Sequence, residues 1–389
     1  MKKRVISAVL AATMVCSLFA GCGGSGSKGG ETADADTFRI GGIGPVTGAA
    51  AIYGSAVRNA EQIAVDEINA AGGINGYQVS LKFEDDEHDA EKSVNAYNSL
   101  KDWGMQILAG TVTTTPCIAV ADKTFADGMF EITPSASSTD VIKNDNVFQV
   151  CFTDPNQGSA SAKYISDKGL GSKIGIIYDS SDVYSSGIYA KFKEEAASLG
   201  LEIVSESAFT ADSNTDFSVQ LQDAKDAGAD LMFLPFYYQQ AAIVLKQAKD
   251  MGFAPAFFGV DGMDGILTLE NFDTSLAEGV MLLTPFAADA ADEKTQAFVK
   301  KYNEEYGETP NQFAADAYDA IYIIKAAAEA ANVTPDMSVE EIGTALKGAM
   351  PSVSYDGLTG SGMKWEATGE VNKEPKGVVI ENGVYVSID

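Results

Sequence analysis

Histidine is almost absent from this chain of 389 residues: the only one is His88, inside the charged run "EDDEHD" at 84–89. A Ser-His-Asp triad would have to be assembled on that residue, which the run places at the surface. Cys117 and Cys151 have no histidine near them in sequence, and there is no H-E-x-x-H. The chain is therefore expected not to be an enzyme. The four cysteines lack zinc-ligand spacing, and the acidic run lacks calcium-loop spacing, so no metal and no cofactor is expected. Basic residues are also short, 27 against 55 acidic ones, for a net charge of −28 at pH 7. Phosphate neutralisation needs Lys and Arg, so nucleic acid is excluded as a partner, as is a broad electrostatic grip on anionic lipid. No stretch beyond the first twenty residues is long and charge-free enough to span a bilayer.

The N-terminus has what the rest lacks. Lys2, Lys3 and Arg4 precede an apolar run from Val5 to Ala20, then Gly21 and Cys22. A basic start, a short apolar core and small residues describe a secretory signal, here residues 1–21. "LFAGC" resembles a bacterial lipobox, which implies lipidation of Cys22. Residues 22–36 are Gly/Ser-rich and then acidic, the composition of a flexible tether. Together they place the chain on the outer face of the cytoplasmic membrane, held by its lipid alone. In an exported chain Cys117 and Cys151 suit either one disulfide or two buried thiols, and the sequence leaves both open.

Beyond the tether, strand and helix patterns alternate. "TFRIGGIGPVTG" opens a strand–loop–helix unit, with Val57, Ala60, Ile63, Ala64, Val65, Ile68 and Ala71 at helical spacing. A helix follows at Ala90–Asp102, then strands at Met105–Ala109 and near Met129–Ile132. The pattern restarts at "SKIGIIYDSSDVYSSG", with helices at Tyr189–Leu199 and near Phe217–Ala227. Lys294–Tyr306, Phe313–Ala331 and Val339–Met350 read as helices, and "VVIENGVYVSI" as strands around a turn. Two such series predict an α/β fold of two doubly wound, parallel-sheet lobes. The last third completes both lobes and is not a third domain.

Ligands of open parallel sheets sit beyond the carboxyl ends of the strands. The first series places "GPVTGAAAIYG", "GTVTTTP" and "TPSASS" there; the second places "YDSSDVYSSG", "LPFYYQQ" and "GVDGMDG". The first set is small and hydroxylic and leads into helix N-termini, which suit a carboxylate. The second brings tyrosines and an acid able to meet an ammonium. The pair describes a cleft for a zwitterion such as a free amino acid. A dinucleotide fits poorly. Gly42, Gly44 and Gly48 give G-x-G-x-x-x-G, Pro45 interrupts the turn, and Asp85 and Asp86 come too late for a ribose acid.

On these stretches, "FRIGGIGPVTGAAAIYGSAVRNAEQIAVDEINAAGGINGYQVSLKFEDD" above all, the chain resembles the branched-chain amino-acid (Leu/Ile/Val) binding proteins of bacterial ABC importers. The resemblance implies the periplasmic-binding-protein type I fold, with two lobes closing on a hinge crossed by three segments. The crossings are expected near Cys151–Pro155, Met281–Pro285 and Tyr355–Gly360. Lobe 1 would be 37–153 with 285–354, and lobe 2 154–284 with 355–389. The resemblance further implies that Tyr53 walls the ligand and that Thr114, Ser135 and Ser137 take its carboxylate. Tyr184 and Tyr237 would close from the second lobe, and Asp261, with Asp264 as rival, would meet the ammonium. The family's disulfide falls at positions held here by His88 and Thr113, so it is missing. The implied partners are a free amino acid, branched-chain or otherwise apolar, and a permease with its ATPases, served by a monomer. The alternative from another class is a ligand-sensing module for amides, aromatic acids or short peptides.

Overall fold

The computed structural model describes residues 36–388. The expected signal, Cys22 and the tether up to residue 35 lie outside the described residues. In the first series β1 (Thr37–Gly44), α1 (Ala51–Ala70), β2 (Gln78–Asp85), α2 (Ala90–Trp103), β3 (Ile107–Gly110), α3 (Thr114–Ala126), β4 (Phe130–Thr133) and β5 (Val147–Gln149) alternate. The second series is α4 (Asp154–Lys168), β6 (Lys173–Asp179), α5 (Val183–Leu199), β7 (Glu202–Phe209), α6 (Ser218–Asp226), β8 (Leu231–Leu234), α7 (Tyr238–Asp250), β9 (Ala256–Gly259) and β10 (Met281–Thr284). Then come α8 (Glu293–Tyr306), α9 (Gln312–Ala331), α10 (Val339–Ala349), the small ribbon β11 (Ser354–Tyr355) and β12 (Met363–Lys364), and the hairpin β13 (Lys376–Glu381) and β14 (Val384–Ser387).

The first sheet has the order β2-β1-β3-β4-β5 and is parallel throughout. The second runs β7-β6-β8-β9-β10, the same order one repeat later, and the β13–β14 hairpin extends it antiparallel to β10. The repetition expected from sequence is thus one of topology, and the chain is an α/β protein built on two such sheets. Strand side chains divide between the two faces with the period of two that a pleated strand requires. On β3, Ile107 and Ala109 join the core under α1, α9 and α10, while Leu108 joins the opposite core with Tyr97 and Leu100 of α2. On β8, Leu231 and Phe233 pack toward α4 and α5, and Met232 and Leu234 face α7.

Three particulars differ from expectation, and one alternative left open is decided. α5 begins at Val183, six residues before the expected Tyr189, because the Asp182 side chain accepts from the Tyr184 amide and caps it. Tyr184 therefore stands on a helix and not in a loop. Cys117 and Cys151 are both free and buried, so there is no disulfide between them. Cys117 instead sits 3.4 Å from Glu131 Oε1, a carboxyl that burial pushes up to about 7. The third passage between sheets comes later than Tyr355–Gly360. Met363, Trp365 and Val371 belong to the core of the first sheet, and Trp365 Nε1 donates to the Gln149 carbonyl of β5. The chain reaches the second sheet only at β13, past Lys373, whose buried ammonium pairs with Asp316 of α9 at 2.6 Å. Finally, His88 is not a free surface residue: its Nδ1 lies 2.9 Å from Thr113 Oγ1 and its ring packs edge-on to Tyr237. The two positions that would carry the family's disulfide are thus neighbours here, joined by a hydrogen bond.

Candidate functional site

In both sheets the connections leaving two neighbouring strands, β1 and β3 in the first and β6 and β8 in the second, run to opposite sides, which opens a crevice at their carboxyl ends. The loops after β1, β3 and β4 face those after β6, β8 and β9. The glycine-rich segment after β1 is not built for an anion. Asp85 at the end of β2 takes the Val46 amide at 2.9 Å and the Thr47 hydroxyl at 2.6 Å, so a carboxylate of the chain already occupies that turn. The turn serves to deliver Tyr53. Gly54 allows this, since a Cβ there would lie 2.1 Å from the Pro45 carbonyl oxygen.

Tyr53, Thr114, Ser135, Tyr184, Tyr237 and Asp261 converge on one small site, with Val112, Thr113, Gly262 and Phe313 completing its lining. Tyr184 and Tyr237 stack with ring centroids 4.9 Å apart and planes 3° from parallel. Tyr53 packs against Phe313 at 4.3 Å and donates its hydroxyl to the Gly262 carbonyl, joining the first series to the second. The Tyr184 hydroxyl accepts from the Gly262 amide at 2.9 Å and donates to Asp261 Oδ1 at 2.5 Å. Residue 262 must be glycine here, because a Cβ would lie 2.6 Å from that hydroxyl. Burial pushes the Asp261 carboxyl up to about 7, with the Tyr184 hydrogen bond and the Gly262 amide pulling the other way.

The opposite wall is neutral. Thr113 precedes the first turn of α3 but does not cap it, because its hydroxyl is bonded to His88. Thr114 Oγ1 accepts from the Ser137 amide at 3.3 Å, which leaves its own hydroxyl proton free to donate. Ser135 differs from expectation: its hydroxyl already donates to the Val112 carbonyl at 2.7 Å. Ser137 is not part of the site lining. Its carbonyl accepts from the Asp154 amide at 2.9 Å, and its hydroxyl is buried without a hydrogen-bond partner among the described residues, beside an Asp154 carboxyl whose pKa burial holds well above the usual carboxylate range. Asp264, the rival to Asp261, faces another cavity and binds the Gln312 amide at 2.8 Å.

Phe313 was hidden in the sequence because it begins a helix of the last third and follows no strand. Gly262 and Thr113 were next to chosen residues, and the "GVDG" and "TTT" runs carried their signal. No group of three or more potential metal ligands occurs among the described residues. The site therefore offers a carboxyl with phenols on one wall, and a helix N-terminus with one donor hydroxyl on the other.

A fold of two doubly wound sheets facing each other across such a crevice defines a two-lobed binding protein. The sequence model for periplasmic binding proteins matches residues 37–376, and the chain belongs to that family. The Leu/Ile/Val-binding protein BraC3 of Rhizobium johnstonii is 31% identical over 346 residues, 84% of this chain and 91% of that one. The branched-chain amino-acid transporter substrate-binding protein LivJ of Streptococcus pneumoniae, solved with isoleucine, superposes with a TM-score of 0.81 at 28% identity, over 90% of this chain and 99% of that one. A solute-binding protein of an ABC transporter from R. palustris, solved with benzoate, shares the fold with a TM-score of 0.79 at 21% identity, over 90% of this chain and 95% of that one. The chain is accordingly a periplasmic-type binding protein, and these relatives are solute-binding proteins, not enzymes.

Proposed function

We propose that this protein captures a free amino acid with an apolar side chain between its two sheets and hands it to an ABC permease. The observation that carries the reading is the opposition of Asp261 to the uncapped start of α3. The ammonium would pair with Asp261, and the carboxylate would take the α3 amides and the Thr114 hydroxyl. Tyr53, Tyr184, Tyr237 and Phe313 would surround the side chain. The free space between these residues is about 10 Å³, room for about one water, so an amino acid enters only after the walls part. In this reading the lobes divide at 153/154 and 284/285, with residues 355–371 kept on the first lobe. Closure follows from the ligand's preference for the closed arrangement. Cys22 would carry the lipid that keeps the monomer beside its permease.

Calorimetry of the refolded chain against the free amino acids tests this. Saturable binding of leucine, isoleucine or valine, and none of their decarboxylated amines at Asp261, is the expected result. No binding of any amino acid would overturn it. A second reading, an aromatic carboxylic acid, is favoured by the four rings of the lining. It requires Asp261 to be protonated against a ligand without an ammonium, so benzoate should bind more tightly as the pH falls.

A further inference from the structure

A second cavity, of about 980 Å³, lies beside the small site and is far larger. It is bounded by the first turns of α1, the segment after β9, the loop between α8 and α9, and the β13–β14 hairpin, so elements of both series line it. The partition between the two spaces is identifiable. Tyr53 faces the small site and its ring packs edge-on, 5.0 Å away, against Tyr238, which lines the large cavity. Gln312 ties the two together, its amide to Asp264 and its Nε2 to the Asp261 carbonyl. Asp261 and Asp264 thus sit on one turn and serve different spaces.

The lining has a definite chemistry. Leu267, Leu269, Leu282, Phe286 and Val299 make its body apolar. Its charged residues are Asp264, Glu270, Asp289 and Glu308; no Lys or Arg lines it. Asp264 is 4% exposed: its Oδ2 takes the Gln312 amide at 2.8 Å, the Tyr385 hydroxyl stands beside the carboxyl, and Oδ1 makes no hydrogen bond of ordinary geometry among the described residues. No cation pairs with this carboxyl among the lining residues, and a ligand ammonium drawn against it would supply one. The volume falls within the range of small-molecule sites, which are mostly apolar with a few converging polar groups.

We infer that this cavity is a second binding site, for a molecule that carries an ammonium group on an apolar body, with Asp264 as its anchor. The class is a primary aliphatic or arylalkyl amine. The site stands apart from the amino-acid reading, since it uses neither Asp261 nor the start of α3.

The test is calorimetry of the full chain at about pH 8 with three probes of one shape: 2-phenylethylamine, 2-phenylethanol and 3-phenylpropionate. The amine should bind at least about tenfold more tightly than the alcohol, the usual weight of a charge-assisted hydrogen bond, and the carboxylate should not bind. Asp264→Asn should weaken the amine by about tenfold or more, and Ala288→Trp, which narrows the cavity and leaves the acid in place, should weaken it as well. Asp261→Asn should remove amino-acid binding and leave the amine. Equal binding of the three probes, full amine affinity in Asp264→Asn, or joint loss of amine and amino acid in Asp261→Asn would each overturn the assignment. Loss of amino-acid binding alone would leave it standing.

Discussion

The loops after β3 and β4 of the first sheet bring hydroxyls and backbone amides to the site and the turn after β1 brings one phenol, Tyr53, whereas the loops of the second sheet bring two phenols and the carboxyl. The five parallel strands follow the same order on the two sides, and the second sheet adds only the β13–β14 hairpin. The difference lies wholly in which residues follow each strand. On the first side Thr113 and Ser135 are already bonded within their own series, to His88 and the Val112 carbonyl. On the second, Asp261 keeps a high pKa because burial is only partly offset by Tyr184 and the Gly262 amide. Duplicated architecture can thus give a cleft with two unlike ends, one suited to each end of a zwitterion.

The largest effect is expected from breaking the acidic end. Asp261→Ala should cost amino-acid binding about 2–5 kcal/mol, the range for truncating one partner of a buried charge pair. Calorimetry with the best-bound amino acid measures it, and an affinity within threefold of the parent would place the ammonium elsewhere. The neutral end should matter less. Thr114→Val removes the available hydroxyl donor and the acceptor of the Ser137 amide, and should weaken binding by about 10- to 100-fold. Retained affinity would mean that the α3 amides hold the carboxylate alone.

The comparison can also be sharpened with protons. Asp261 titrates at about 7, well above the 3.8 of an unperturbed Asp, so between those values the folded chain holds a proton that the unfolded chain lacks. This contribution to stability is present at low pH and is lost as the pH rises toward 7. The Asp182, Asp264 and Asp316 carboxyls, each at about 6 through burial, act in the same sense. The ligand-free chain should therefore melt lower at about pH 8 than at about pH 5.5, while the increment from a bound amino acid should grow over the same range as Asp261 ionises. Melting curves with and without ligand decide this; an increment independent of pH would contradict an ionised Asp261 in the complex. The smallest effect is expected at Ser135→Ala. Its hydroxyl is committed to Val112, so affinity should fall less than in Thr114→Val, with a stability loss of about 1 kcal/mol. A loss of affinity equal to that of Thr114→Val would show that Ser135 reorients to the ligand.

Much of this was legible before the fold was seen. The apolar spacing of α1, the "ENG" turn between β13 and β14, and the N-terminus of α2 at Ala90 follow from local rules, because side-chain period, turn residues and caps act over a few positions. The start of α5 was misplaced because "DSSDVYSSG" carries both turn and cap signals, and only the capping bond from Tyr184 to Asp182 decides between them. The loops that line the site could be collected from strand ends because a doubly wound sheet sends every such loop to one edge, while the choice of Tyr53, Thr114, Ser135, Tyr184, Tyr237 and Asp261 within them rests on the family resemblance. Ser137, also at a strand end, is buried outside the site lining, an outcome of packing that no local pattern encodes.

By itself, then, the sequence determined the alternation of strands and helices, the two series, and the residue types delivered to the crevice. These depend on interactions between neighbours along the chain. Tertiary structure decided which of the two acids after β9 faces the small site and which the large cavity, that Phe313 closes the ring of aromatics, and that residues 363–371 stay with the first sheet. Each of those depends on contacts between residues far apart in sequence, such as Gln312 with Asp261 and Trp365 with Gln149, which no local pattern encodes.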